Sequence, residues 1–264
     1  MGSQLSVHVR GARPAGSDDA ADALWAAADA SVARLAAELH RLEALFSVFR
    51  PDSQVSRLGR GELSAAELAP EVTEVFVLAG VLEQETDGAF AARRPGVGGG
   101  WVPDPTGVVK GWAVERVAAA WDAEMAAVGA GGAGGAGGAG QGLDRYIGIG
   151  GDLDLRVAHA DRPAWRVGVA DPARPGELLT TLHVRDAAVA TSGTAERGAH
   201  LLDPRTGAPA DAGLAAVTVV GRSLAWADAL ATAIFVAGEG AAARWTARGY
   251  EVFTVRAGGG LRRW

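Results

Sequence analysis

Between Leu24 and Leu45 the apolar residues Leu24, Ala28, Val32, Leu35, Leu39, Leu42 and Leu45 recur at steps of three or four. That is the stripe of an amphipathic helix. Asp18 and Asp19 stand ahead of it, acidic residues suited to a first helical turn. Residues 4–9 alternate instead, as a half-buried strand does, and GARPAGS at 11–17 reads as the loop between. The stretch 46–62 starts apolar and turns polar at Pro51 and Asp52. Ser64 with Glu67 has the spacing of a capping box, so a second helical segment is expected to run toward Glu85, reset at Pro70, and to stop at Thr86-Asp87-Gly88. The Gly-rich loop PGVGGGWVPDPTG at 95–107 leads to a third helix over about 108–127.

Beyond residue 142 the period changes from helical to alternating. YIGIGGDLDLRV, AWRVGVADP, LLTTLHVRD, AAVATSG and AAVTVVG read as strands. A helix is expected at Leu224–Ala237, capped by Ser223 and ended by Gly238, then another at about 239–248 and a last strand in YEVFTVRAG. Helices come mostly first and strands mostly later, which predicts an α+β fold of layered strands and helices. One tract breaks the pattern: VGAGGAGGAGGAGQG at 128–142 has too little apolar surface to pack a core. It reads as a flexible surface loop inside one domain spanning 1–264, because the C-terminal strands alone lack the long helices to cover them.

Composition narrows the function. With 48% hydrophobic and 21% charged residues the chain has the balance of a globular protein. Its net charge of −6 leaves no basic footprint for nucleic acid. The absence of cysteine excludes disulfides, thiolate metal sites and cysteine nucleophiles. No apolar run is long enough to span a membrane, and the first 25 residues show no basic region followed by an apolar core. A soluble, cytoplasmic protein is the expectation.

Four segments offer chemistry. Asp228 and Thr232 are four apart on the expected helix, so a carboxylate and a hydroxyl share one face, two oxygen ligands for a hard cation. Taken alone, the pair reads equally as a solvated Asp and a Thr bonded back to its helix. Lys110, flanked by Gly107 and Gly111 where a turn enters a helix, sits in a place suited to a phosphate, or is simply a solvated lysine. His200 precedes the tight-turn sequence Asp203-Pro204-Arg205-Thr206-Gly207 and is the natural general base near neutral pH, while His8, His40, His159 and His183 read as structural. In GIGGD, Gly150 and Gly151 permit close backbone approach to a ligand or serve as a bulge, and Asp152 and Asp154 are expected to face solvent.

In order along the chain stand FRPDSQVSRL (49–58), TDGAF (86–90), GVVKGWAVE (107–115), GIGGD (148–152), WRVGVADP (165–172), TSG (191–193), HLLDPRTG (200–207) and DALAT (228–232). This ordered set resembles the ApbE family. The resemblance implies a T-fold-like α+β architecture and a magnesium-dependent FAD:protein FMN transferase, which attaches FMN through its phosphate to a Thr or Ser hydroxyl of a target flavoprotein and releases AMP. It implies Asp228, Thr232 and the carbonyl of Val109 as magnesium ligands, and Phe49, Ala89, Phe90, Ala91, Thr106, Trp112 and Leu202 along the FAD. It places His200 as the hydroxyl-activating base and Lys110 as a cation near the pyrophosphate. The chain departs from the family pattern at Ala91, where Asp is usual, at Trp112 and Phe49, where Tyr is usual, and at Gly59, where Asn is common. Two other readings share these residues: magnesium-dependent hydrolysis of FAD to FMN and AMP, and a non-catalytic flavin-binding protein. Retention of Asp228, Thr232 and His200 weighs against the last.

Overall fold

The computed structural model describes residues 4–11, 19–96, 98–130, 142–194 and 201–264. The first strand, β1 (Leu5–Arg10), precedes the long helix α1 (Asp19–Phe46). Along α1 the residues Leu24, Ala28, Leu35, Leu39 and Leu42 of the expected stripe are buried, while Ser31 and Phe46 take the fully buried places expected of Val32 and Leu45, which are half-buried. Then follow α2 (Gln54–Gly59), α3 (Pro70–Glu85), the short strands β2 (Arg93–Pro95) and β3 (Trp101–Pro103), and α4 (Thr106–Ala130). The strand-rich part comprises β4 (Asp144–Ile149), β5 (Asp152–Arg156), β6 (Trp165–Ala170), β7 (Leu178–Val184), β8 (Ala187–Gly193) and β9 (Leu214–Gly221). Helices α5 (Leu224–Ala237) and α6 (Ala242–Thr246) and strands β10 (Glu251–Arg256) and β11 (Leu261–Arg263) end the chain.

Seven strands form one antiparallel sheet in the order β1-β4-β5-β8-β9-β10-β11. Side chains alternate across it. Ile147, Ile149, Ala188, Ala190, Val217, Val219 and Val252 join α1, α3, α4 and α5 in the main core. Leu155 and Val189 face the other way, with Tyr146 and Val220, and are covered by the β6–β7 ribbon through Val184, Trp165, Val167 and Leu182. The fold is thus three layers: helices, sheet, ribbon. It is α+β, as the order of helical and alternating segments predicts. Helix α5 lies deepest; eleven of its residues are buried, among them five alanines, because it is pressed between α4 and the sheet. Small side chains let both neighbours come close.

Several expectations change. The Gly-rich loop 95–107 is not all loop: Arg93–Pro95 and Trp101–Pro103 pair as a hairpin, too short to show a period of two. The helix expected from Ser64 is interrupted; Ala65–Glu67 is a single 3-10 turn, with Glu67 accepting hydrogen bonds from Ser64 N and Oγ, and α3 starts afresh at Pro70. The expected helix at 239–248 shortens to a 3-10 turn and the five residues of α6. Strand β11 had no signal, being three residues with two arginines. Gly150 and Gly151 take φ of 58° and 91° and close the two-residue turn of the β4–β5 hairpin, so their left-handed freedom serves the turn. Asp152 and Asp154, expected in solvent, are turned inward. Asp152 is fully buried, and Asp154 pairs with the buried Arg145, burial pushing its carboxyl above the usual range while the guanidinium pulls the other way. Of the tract at 128–142, residues 131–141 lie outside the described residues, as do Asp18 and His200.

Candidate functional site

Helices α4 and α5 touch backbone to backbone at one point. A Cβ on Gly111 would stand 2.6 Å from the Leu224 carbonyl oxygen, so only glycine permits the crossing. The contact places the first turns of α4 against the first turns of α5, and Gly111 N donates to Asp228 Oδ2 at 3.1 Å. Asp228 is 4% exposed, which answers one open alternative: its carboxylate does not face solvent. One turn on, the half-buried Thr232 is not bonded back to its own helix alone; its hydroxyl lies 2.9 Å from Ser192 Oγ on β8.

Lys110, the residue before Gly111, reaches the sheet and forms an ion pair with the buried Asp152. Asp152 Oδ1 also accepts from Thr191 N at 3.1 Å, and the Thr191 hydroxyl meets that of Thr218 at 2.9 Å. Lys110 is therefore not a solvated lysine. Four distant segments (α4, β5, β8 and α5) converge here on two carboxylates, one ammonium and the paired hydroxyls of Ser192 and Thr232. Among the described residues no group of three or more His, Asp or Glu surrounds a metal position. The donors that meet here are oxygens: the Asp228 carboxylate and the hydroxyls of Thr232 and Ser192. Such a sparse oxygen set fits magnesium, which keeps waters and phosphate oxygens around it, and does not fit zinc.

A second group of segments meets beside the start of α4. The ring of Phe90 packs against Gly107, with its nearest atom 3.0 Å from where a Cβ would stand. Thr86 fastens that turn, accepting from Phe90 N at 3.1 Å and donating to the Leu82 carbonyl at 2.7 Å. Ala89 and Phe90 are buried and Ala91 is half-buried, so the Phe90 side chain is core here. Thr106 is exposed, its hydroxyl donating to Asp104 at 2.6 Å. The Asp203–Gly207 turn has the bonding its sequence predicts: Thr206 N and Gly207 N both donate to the Asp203 carbonyl, at 3.1 and 2.7 Å. Hydrogen bonds from Arg205 hold the Asp203 carboxyl below its usual range. This turn rests on the β2–β3 hairpin, where a Cβ on Gly207 would be 3.3 Å from Pro95, and Arg205 lies against Gly88. Leu202 bridges to Pro209 at its neck.

Two residues expected along the FAD stand apart. Trp112 is 7% exposed; its indole donates to Glu74 on α3 at 2.9 Å and its ring meets Phe46 of α1 edge-on, so it belongs to the helical layer. Phe49 is 87% exposed in the loop before α2. The other histidines are distributed elsewhere: His8 stacks on Tyr146, and His159 accepts from Gly142 N. What sequence reasoning missed is the partners. Asp152, Ser192 and Glu115 each lie inside one of the motif blocks, but the contacts that give them roles cross 40 or more residues for the first two and 108 for the third.

Comparison with known proteins gives the family and the fold. The sequence model of the ApbE family matches residues 1–93 and 103–254. The FAD:protein FMN transferase of Vibrio cholerae is 30% identical over 146 residues, 52% of this chain and 39% of that protein. The one of Treponema pallidum is 42% identical over 94 residues, 32% of this chain and 26% of that protein. The matched stretches thus span about two-fifths or less of those relatives. The ApbE protein of Thermotoga maritima superposes with a TM-score of 0.75 at 21% identity, over 99% of this chain and 94% of that one. The apo flavinyl transferase ApbE of Pseudomonas stutzeri gives a TM-score of 0.69 at 22% identity, over 99% and 94%. At these identities the structures establish a shared fold.

Proposed function

We propose, from the premise that this chain belongs to the ApbE family, that it is a magnesium-dependent FAD:protein FMN transferase acting in the cytoplasm on a flavoprotein with an acceptor Thr or Ser. The observation that carries the reading is the convergence of Asp228, Thr232 and the Val109–Gly111 turn, brought together across more than 100 residues by the α4–α5 crossing. A buried carboxylate beside hydroxyls has no reason to lie there for stability alone, since burying it costs free energy that an apolar residue would not.

In this reading FAD is the substrate. The hydroxyl oxygen of the acceptor Thr or Ser attacks the flavin-side phosphorus. The bond from that phosphorus to the bridging oxygen breaks, AMP leaves with the electron pair and that oxygen, and the hydroxyl proton goes to a base. His200, which in sequence precedes the Asp203–Gly207 turn, is assigned as that base, because an imidazole can accept a proton near neutral pH. Asp228, Thr232 and the Val109 carbonyl would hold magnesium, which when bound supplies positive charge against the pyrophosphate oxygens. Lys110, held by Asp152, adds a cation in a fixed place. The exposed Thr106 and the backbone at Ala89–Ala91 at the entry to α4, with Leu202 at the neck of the Asp203–Gly207 turn, are assigned to the flavin nucleotide; Phe49 is assigned as a ring free to stack. The buried Phe90 ring, packed on Gly107, would support this wall from behind.

The test is incubation with FAD, magnesium and a domain bearing an acceptor Thr, followed by mass measurement of that domain. A gain equal to FMN less one water, with AMP released, is the expected result. FMN and AMP with an unmodified acceptor would make the chain an FAD hydrolase, and intact FAD would end the enzymatic reading.

A further inference from the structure

Glu115 ends the motif stretch GVVKGWAVE, and no step above uses it. It sits on α4 one turn beyond Gly111, yet its carboxylate serves α5. One oxygen, Oε2, accepts from the Ser223 hydroxyl at 2.8 Å and from Ala225 N at 3.1 Å. Ser223 is the N-cap of α5, and its own oxygen accepts from Trp226 N. Glu115 thus takes up two donors at the start of α5 and sets an anion at the positive end of the helix dipole.

The position of this contact matters more than its strength. Helix α5 meets Gly111 on α4 and lies on a sheet face that carries Ala188, Ala190, Val217 and Val219. Apolar burial is non-directional, so directional polar contacts are what specify the axial register. Three polar contacts fix that axis: Glu115 to Ser223 and Ala225 at its start, Gly111 N to Asp228 one turn on, and Ser192 to Thr232 a turn further. Asp228 lies one turn after Leu224 on α5, and Val109 lies two residues before Gly111 on α4. The distance between the two proposed ligands therefore depends on the axial register of the helices.

We infer that Glu115 is a positioning residue for the candidate metal site, acting through α5 to set Asp228 and Thr232 against Val109. The inference rests on the metal reading proposed above. Reach is what counts: a glutamine retains an oxygen at the same distance from the backbone, whereas an aspartate is one methylene short.

Binding of manganese(II), as a paramagnetic stand-in for magnesium, is measured directly by electron paramagnetic resonance in the wild type, Glu115→Ala, Glu115→Asp, Glu115→Gln and Asp228→Ala, alongside thermal melting. Expected are at least tenfold weaker binding in Glu115→Ala and Glu115→Asp, wild-type binding within about threefold in Glu115→Gln, and none in Asp228→Ala. Wild-type affinity in Glu115→Ala, with binding lost in Asp228→Ala, would leave the metal reading standing and overturn the role of Glu115, whatever the melting temperature does. No manganese bound by the wild type would instead remove the metal reading itself and this inference with it. Should Glu115→Ala fail to fold, Ser223→Ala removes one of the two donors from the other side. It is expected to weaken manganese binding measurably, and unchanged affinity there also overturns the role.

Discussion

Replacing Lys110 with methionine keeps the length and apolar stem of the side chain but removes the ammonium from beside Asp152. The Asp152 side chain is 1% exposed and that of Lys110 is 24% exposed. Breaking a buried pair from one side typically costs about 3–5 kcal/mol, because the remaining charge stays desolvated. Two features place this case at the lower end. Asp152 keeps the Thr191 N–H at 3.1 Å, and water already reaches a quarter of the Lys110 side chain, which screens the pair. A loss of about 3 kcal/mol is expected, a drop in Tm of roughly 6–12 °C for a domain of this size. Calorimetric and far-UV melts at pH 7.5 measure it, and the companion change Asp152→Asn completes a double-mutant cycle. The double variant should regain most of the stability, since a neutral amide can still accept from Thr191 N. Activity separates two roles that stability cannot. If Lys110 also faces the pyrophosphate, the stable double variant will remain inactive. A Lys110→Met protein that melts within about 1 °C of wild type, or a coupling near zero, would refute the argument that this pair is a buried, energetically linked unit.

The remaining predictions are briefer. Gly111→Ala gains the usual helix-propensity advantage of about 1 kcal/mol, but its Cβ meets the Leu224 carbonyl at 2.6 Å, an overpacking cost of about 1–3 kcal/mol; chemical denaturation should show net loss, and a net gain would mean the helices part freely. His200→Ala should leave FAD affinity nearly unchanged while lowering transfer by about 10²–10⁴-fold, and should abolish a single ionisation near pH 6–7 in the wild-type rate; an unaltered profile would send the search for a base to Asp203 or Glu196. Replacing residues 131–141 with a shorter Gly/Ser linker should barely move Tm, since closure entropy varies slowly with loop length; a fall of many degrees would show that the tract packs against the domain. Asp203 has its folded pKa lowered, chiefly by hydrogen bonds from Arg205. Its contribution to stability is therefore present above the unfolded carboxylate value of about 3.9 and lost as pH falls through the lower folded one, so Asp203→Asn should flatten the acid limb of a Tm–pH curve.

How far the sequence could carry the argument depended on the range of each contact. Features set within a few residues were legible: the buried stripe of α1, the Ser223 cap and Gly238 stop of α5, and the Asp203–Gly207 turn all follow from local spacing and turn chemistry. The β2–β3 hairpin and β11 were not, because three residues cannot display a period of two. The inward turn of Asp152 and Asp154 was misread for a different reason. Alternation of Asp with Leu places both carboxylates on one face, but only the third dimension reveals that this face meets Lys110 and Arg145 instead of water. The site shows the same division. Asp228 and Thr232 could be paired from their spacing on one helix, whereas Ser192, Glu115 and the glycine contact at Leu224 become meaningful only once α4 crosses α5. Trp112 is the instructive case. Its neighbours in sequence, Lys110 and Gly111, both face the candidate site, yet a helix turns each successive residue by about 100°, and that rotation carries the indole to Glu74 and Phe46. A motif read as a string assigns one role to adjacent letters. On a helix, adjacency means divergence, so the block from Lys110 to Glu115 serves the sheet, a helix crossing, the core and a helix cap in turn.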